Sequence, residues 1–234
     1  YNRKKIIENI NIEIPKGSIT ALIGLNGAGK STTIKHILGL LRPMDGEIKV
    51  NGITIRENNE KYRKSISYIP ESPVLYDELT LEEHINLTAM AYGLNIKEAW
   101  EKADVLLKLF KLSDKKKFFP VHFSKGMKQK VMIICSFLVE PNLYIIDEPF
   151  LGLDPIAIND LINLMCEKRD NGASILMSTH ILATAEKYCD NFIIIHEGKI
   201  LASGKLSDLR KEFNMTDASL DEIYLALTTR GQDE

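Results

Sequence analysis

Apolar and polar positions change spacing several times along this chain, and each change marks an element. Residues 5–14 set Ile6, Ile10, Ile12 and Ile14 among polar neighbours, which predicts a half-buried strand with Gly17 as the following turn. Residues 18–23 form a short apolar run, read as a second strand. Residues 31–41 then place Ile34, Ile37, Leu38 and Leu41 at helical spacing. Residues 46–55 read as a hairpin, because Asn51-Gly52 tolerates positive φ at both turn positions and separates two β-forming runs. Residues 66–69 form a short strand ended by Pro70.

Residues 80–140 carry no strand signal and predict three helices. Thr80 and Glu83 have capping-box spacing ahead of the first, residues 96–110 carry Ala99, Ala103, Leu106, Leu107 and Phe110 for the second, and Ser124 opens the third. Beyond Pro141 the β/α alternation returns. Strands are expected at 143–146, 174–178, 191–196 and 199–203, and helices at 156–169, 181–188, 205–213 and 219–228. Such alternation implies an α/β fold with a mostly parallel sheet covered on both faces. The helical block, about 71–140, reads as an insertion into a core of about 1–70 and 141–234.

Composition adds limits rather than identity. With 234 residues and 44% hydrophobic content, the chain is long enough for one large domain with a real core. A net charge of −2 gives no overall case for binding nucleic acid, and Lys115-Lys116-Lys117 reads as a solvated basic stretch. The three cysteines are scattered and form no metal or disulfide framework, which suits a reducing compartment. No apolar run approaches the ~18 residues of a membrane span, and no signal-peptide pattern opens the chain. The missing initiator Met points to residues lost ahead of Tyr1.

The chemistry lies in Gly24-Leu25-Asn26-Gly27-Ala28-Gly29-Lys30-Ser31-Thr32, which fits G-x-x-x-x-G-K-[ST] between a strand and a helix. Glycines allow tight turns and close approach to a polyphosphate, and successive N–H groups form an anion nest at the helix start. Residues 26–32 are thus candidate nucleotide ligands, with Lys30 reaching the β and γ phosphates and Ser31 supplying its hydroxyl to Mg²⁺. A second element is the apolar strand Leu143-Tyr144-Ile145-Ile146 running into Asp147-Glu148. At the carboxyl edge of a parallel sheet these acids face the ligand crevice. Asp147 is read as holding the Mg²⁺ shell, and Glu148 as the general base that polarises water.

Taken with what surrounds them, these motifs make the chain resemble the ATP-binding subunit of an ATP-binding-cassette (ABC) transporter. The resemblance runs over the whole chain. Tyr1 matches the aromatic that stacks on adenine, Pro70-Glu71 the Q-loop, and Phe123-Ser124-Lys125-Gly126-Met127 the signature. Gly152-Leu153-Asp154 matches the D-loop, and Ser178-Thr179-His180 contains the switch histidine. The texture of residues 70–76, 123–130 and 219–227 is most similar to the Ecs-type bacterial exporter ATPases.

The resemblance implies a P-loop NTPase core with an antiparallel β subdomain and an inserted helical subdomain. It further implies ATP and Mg²⁺ as cofactors, a separate integral membrane permease, and a second ATPase subunit, identical or not. The location it implies is peripheral, on the cytoplasmic side of the plasma membrane. Two cassettes would sandwich ATP, with Ser124 and Gly126 facing the partner's γ-phosphate, His180 holding that phosphate, Glu71 near Mg²⁺ and Asp154 coupling the sites. The plainer alternatives are an N-cap for Ser124, which is compatible with the other role, a helix-start residue for His180 and an aromatic packed on the sheet for Tyr1. Two residues depart from the family pattern: Lys125 replaces a glycine, and Glu71 replaces the usual Gln. Family members acting on ribosomes or DNA usually carry two cassettes or a long coiled-coil insertion, and this chain shows neither. A small-molecule kinase would have no use for the signature and the D-loop.

Overall fold

In the computed structural model, residues 6–230 are described. A six-stranded sheet organises them. Its strands are β1 (Ile19–Ile23), β4 (Ile66–Ile69), β5 (Leu143–Asp147), β6 (Ser174–Thr179), β7 (Asn191–His196) and β8 (Lys199–Gly204), ordered β4-β5-β6-β1-β7-β8. All neighbours run parallel except β7 and β8. β1, β5 and β6 are buried at every position, as strands covered on both faces must be. β2 (Lys49–Val50) and β3 (Ile53–Thr54) form a separate antiparallel ribbon, turned by Asn51 at φ 51° and Gly52 at φ 77°.

One face of the sheet carries α1 (Lys30–Ile37) and α2 (Asn59–Lys64), with Ile34, Ile37 and Tyr62 packed on Leu22, Ile145 and Ile193. The other carries α3 (Leu81–Tyr92), α4 (Ile96–Leu109), α5 (Lys125–Leu138) and α6 (Pro155–Asp170). There Ile85, Ala103, Leu107 and Phe137 share one apolar cluster with Ile146, Leu161 and Met177. A third cluster joins β1, β7 and β8 to α7 (Leu182–Tyr188), α8 (Leu206–Glu212) and α9 (Leu220–Arg230). The Thr80–Glu83 capping box forms in both directions.

The expected strand over 5–14 does not form in its described part, residues 6–14. Ile10, Ile12 and Ile14 do pack on the core, so the apolar pattern was about burial. Asn9 at φ 52° breaks the extended run, which is how packing occurs without a ladder. Conversely α2 was not foreseen: Tyr62 is its one buried residue, so no apolar periodicity marks it.

Sheet register builds the site. Ile23 lies beside Thr179, and Asp147 beside Ser178. The residues that follow these strand ends, Gly24, Glu148 and His180, therefore emerge together at one edge.

Candidate nucleotide site

The loop after β1 is shaped by contacts only glycine allows. A Cβ at Gly24 would come 2.4 Å from the Ile195 carbonyl oxygen, and one at Gly29 would come 2.8 Å from Ile7 Cγ2. Gly29 caps α1 at φ 114° with no side-chain hydrogen bond to the helix start. The N–H groups of Lys30, Ser31 and Thr32 thus begin a helix without a side-chain cap, and that of Thr33 already bonds Gly29 O at 2.9 Å. They border a cleft of about 160 Å³ lined by Leu25, Asn26, Gly27, Gly29, Ser31 and Thr32. Ala28 is buried beneath it, its N–H turned inward onto Leu25 O at 3.1 Å.

Lys30 is buried and its Nζ donates to Gly24 O at 2.7 Å. The same ammonium sits 3.9 Å from Glu148 Oε1, while Glu148 Oε2 lies 2.9 Å from His180 Nδ1. A carboxylate only accepts, so Nδ1–H is the donor of that contact. Glu148 adopts φ 47°, an uncommon left-handed conformation for its type, and its N–H is steadied by Ser178 O and Oγ, each at 3.2 Å. Ser178 Oγ also donates to Asp147 Oδ1. Asp147 is buried, and burial pushes its carboxyl above the usual range, with Ser178 and Lys30 opposing and the Glu71 charge adding. Tyr68, beside the same acids, is pushed up to about 12 by burial, then by Asp147 and Glu71.

The signature residues lie elsewhere. Ser124 is exposed and caps α5, its Oγ accepting Met127 N–H at 3.2 Å. Gly126 abuts the D-loop, since a Cβ there would be 2.5 Å from Gly152 O. Lys125 runs its stem alongside Gly152 of the same chain. Asp154 caps α6 through Ala157 N–H at 2.9 Å and binds Lys130 at 2.8 Å, and Lys130 and that cap hold its carboxyl down at about 2. Buried Gln129 donates to Pro70 O at 3.4 Å, tying α5 to the Q-loop turn, where Glu71 is exposed. The structure therefore brings Lys30, Asp147, Glu148, His180 and residues 26–32 together, and sets Ser124, Gly126 and Asp154 apart on another surface. Tyr1 lies outside the described residues.

Sequence reasoning passed over three residues. In the sequence Ser178 is only the residue two before His180, and Gln129 and Tyr68 carry no site pattern. Their roles come from pairing across strands and helices, which local spacing does not encode.

An uncapped helix start, a buried lysine and two carboxylates at a parallel sheet edge define a P-loop protein that binds and hydrolyses nucleoside triphosphates. The comparisons give the particular kind. A family model described as "ABC transporter" matches residues 7–151. The chain is 59% identical over 228 residues to the ABC-type transporter ATP-binding protein EcsA of Bacillus subtilis (strain 168), covering 97% of this chain and 92% of the relative. It is 43% identical to the uncharacterized ABC transporter ATP-binding protein YthP of the same organism, covering 95% and 90%. A solved structure described as the ATP-binding subunit of an ABC transporter superposes with a TM-score of 0.95 at 56% identity, covering 97% and 95%.

The chain belongs to the ABC transporter family as an ATP-binding, ATP-hydrolysing subunit. Subunits of this kind dimerise and work with a membrane permease. Among the described residues no helix is long and apolar enough to cross a membrane.

Proposed function

We propose that this subunit drives an export-type permease by closing an ATP sandwich with a second ATPase subunit and reopening it by hydrolysis. The observation that carries this reading is Glu148, held between Lys30 and His180 with both carboxylate oxygens engaged. In that position it can take the proton of a water attacking a phosphate seated on residues 26–32. His180 orients the carboxylate through its 2.9 Å contact and is assigned to hold the same phosphate. Lys30 neutralises charge as the bond to the leaving oxygen breaks.

Mg²⁺ fits the donors present: Asp147 is a buried carboxylate whose ionisation is opposed by burial and by Glu71, and Ser31 opens α1 at the cleft. Both are hard oxygen ligands of the kind Mg²⁺ takes together with substrate phosphates. When bound there, the ion would neutralise charge on the phosphate oxygens. Asp147, Ser31 and Glu71 would hold it.

For the second nucleotide of the sandwich, Ser124 and the Gly126 backbone supply the face toward the partner subunit, with Asp154 at the seam. The α3–α5 block reads as an insertion within a single domain. The permease is assigned to the cleft of about 310 Å³ between α2, β4 and α3, lined by Leu38, Arg63, Tyr68 and Tyr92. Val74, Tyr76 and Met90 are exposed apolar side chains on and just ahead of α3, and Leu75 between the first two packs on the core. That segment directly follows Glu71, so nucleotide state and permease contact share one short stretch. Docking there places the subunit peripherally, on the cytoplasmic side of the plasma membrane.

The test is Glu148→Gln. Loss of a positioned general base lowers turnover by about 10²–10⁴-fold. With ATP and Mg²⁺ the variant should elute as a dimer in gel filtration, because the sandwich no longer discharges. Turnover within a few-fold of wild type would remove Glu148 from the role of base, and a monomer under those conditions would remove the sandwich.

A further inference from the structure

The C-terminal helix reaches the phosphate loop through one side chain. Tyr224 lies on α9, is 6% exposed, and its Oη accepts the Leu25 N–H at 3.2 Å across 199 positions of sequence. That N–H and the Gly24 carbonyl belong to one peptide unit, and the carbonyl accepts from Lys30 Nζ at 2.7 Å. A peptide unit is planar and stiff, so the plane is gripped at both ends. The phosphate-binding lysine holds one end and α9 holds the other.

Such a grip matters in a loop of this composition. Gly24, Gly27 and Gly29 leave the backbone little rotational restraint of its own, and the last two sit at φ 84° and 114°. A loop that must present its N–H groups in one arrangement gains affinity when that arrangement is set in advance. The Tyr224 ring is seated among Ala21, Ile23, Phe192 and Leu220, so the ring alone would satisfy packing. Its hydroxyl is the part that addresses the loop.

The helix bearing it is fastened firmly. Glu186 of α7 accepts the Leu220 N–H at 2.8 Å and pairs with Arg210 at 3.6 Å, and Arg210 Nε donates to Ala218 O at 2.7 Å. α7 itself begins just after His180. One helix thus bridges the loop that takes the phosphates and the helix that follows the switch histidine.

We propose that Tyr224 is a positioning residue for ATP: its hydroxyl presets the Gly24–Leu25 peptide, and with it Lys30, so that α9 tunes nucleotide affinity from outside the site. The inference rests on ATP binding at this loop. Its test is Tyr224→Phe in the full chain, beside Ile223→Val as a packing control on the same helix. Tyr224→Phe should weaken ATP, by calorimetry and as KM, about three- to tenfold, the effect of one neutral hydrogen bond. Its kcat should fall by less than its affinity, because Glu148 and His180 keep their own contacts and only the preset of Lys30 is loosened. Ile223→Val should lower the thermal midpoint without moving ATP affinity. Wild-type affinity in Tyr224→Phe would overturn the proposal. So would a loss of affinity in both variants that follows their thermal midpoints, which would make α9 a packing element alone. A wild-type chain that bound no ATP in the same titration would be a different failure, that of the nucleotide site itself.

Discussion

α1 has a glycine as its N-cap and α5 carries one in its first turn, yet they treat those turns in opposite ways. α1 starts at Gly29 with no side-chain cap, above a buried lysine. α5 starts at Ser124, whose hydroxyl closes the helix end, on an exposed surface with Lys125 beside it. Neither carries an acid in its first turn, so both ends keep their positive field. The difference is what each can do alone. The α1 start is surrounded by Lys30, Asp147, Glu148 and His180 of its own chain and is a whole site. The α5 start has only its cap and its neighbours' charge, and on the proposed reading is half of one. Dimerisation, which the family practises, would bring such a half-site a ligand.

Lys30→Ala should show the largest effect on ATP affinity, at the α1 end. Removing a charged donor to phosphate costs on the order of 1.5–3 kcal/mol, or about ten- to a hundredfold in ATP affinity. Adenosine carries no phosphate, so its binding should not change. Equal weakening of both would mean the loop had collapsed, which its hydrogen bond to Gly24 O makes the outcome to check.

At the α5 end the expected effects are smaller and separable. Ser124→Ala removes the cap to Met127 N–H and should cost about 1 kcal/mol, some 2–4 °C in a domain of this size. Ser124→Asp restores a cap and should recover that midpoint. It also puts a negative charge where a partner's γ-phosphate is expected. ATP turnover should therefore fall at least about tenfold in Ser124→Asp although the fold is intact. Full turnover in that variant would confine Ser124 to capping and remove the half-site.

The two ends also differ in how far the sequence disclosed them. Gly24 to Thr32 could be read as an anion nest from residue types alone, because a short contiguous loop makes the whole cradle. Thr80 with Glu83, Asn51-Gly52 and Ser124 were legible for the same local reason, and each forms as expected. What the sequence hid was contact between distant segments. Tyr224 on Leu25 N–H and Ser178 on Asp147 have no local spacing to betray them. The 5–14 strand shows the converse error. Alternating isoleucines report a buried side of the chain, and whether a ladder forms depends on a partner edge and on residues such as Asn9. α2 was missed because Asn58, its side-chain cap, and the Glu60–Lys64 pair were its only markers in a polar stretch.

The smallest effect lies between the two ends, at Glu71. Asp147 is held above the usual carboxylate range by burial, relieved by the Ser178 hydroxyl and worsened by the Glu71 charge. A carboxyl whose folded pKa exceeds its unfolded value of about 3.9 favours the fold fully below that value, and the advantage is lost as pH rises through the folded pKa. Above that folded pKa the ionised Asp147 therefore weighs against the fold in full. Glu71→Gln removes one of the two causes. The thermal midpoint without nucleotide should rise at pH 7 by up to about 2 °C, and the gain should shrink as pH falls through the raised Asp147 pKa. Mg²⁺ acts on the same charges, since it prefers hard anionic oxygens. In wild type it would offset repulsion both from Asp147 and from the γ-phosphate, so chelation should weaken ATP more there than in Glu71→Gln. Calorimetric titrations of both proteins, with Mg²⁺ and with a chelator, measure that ratio. Equal ratios, with an unchanged midpoint, would leave Glu71 no part in metal sensing and return the link between the α1 and α5 ends to Gln129 and the Pro70 carbonyl.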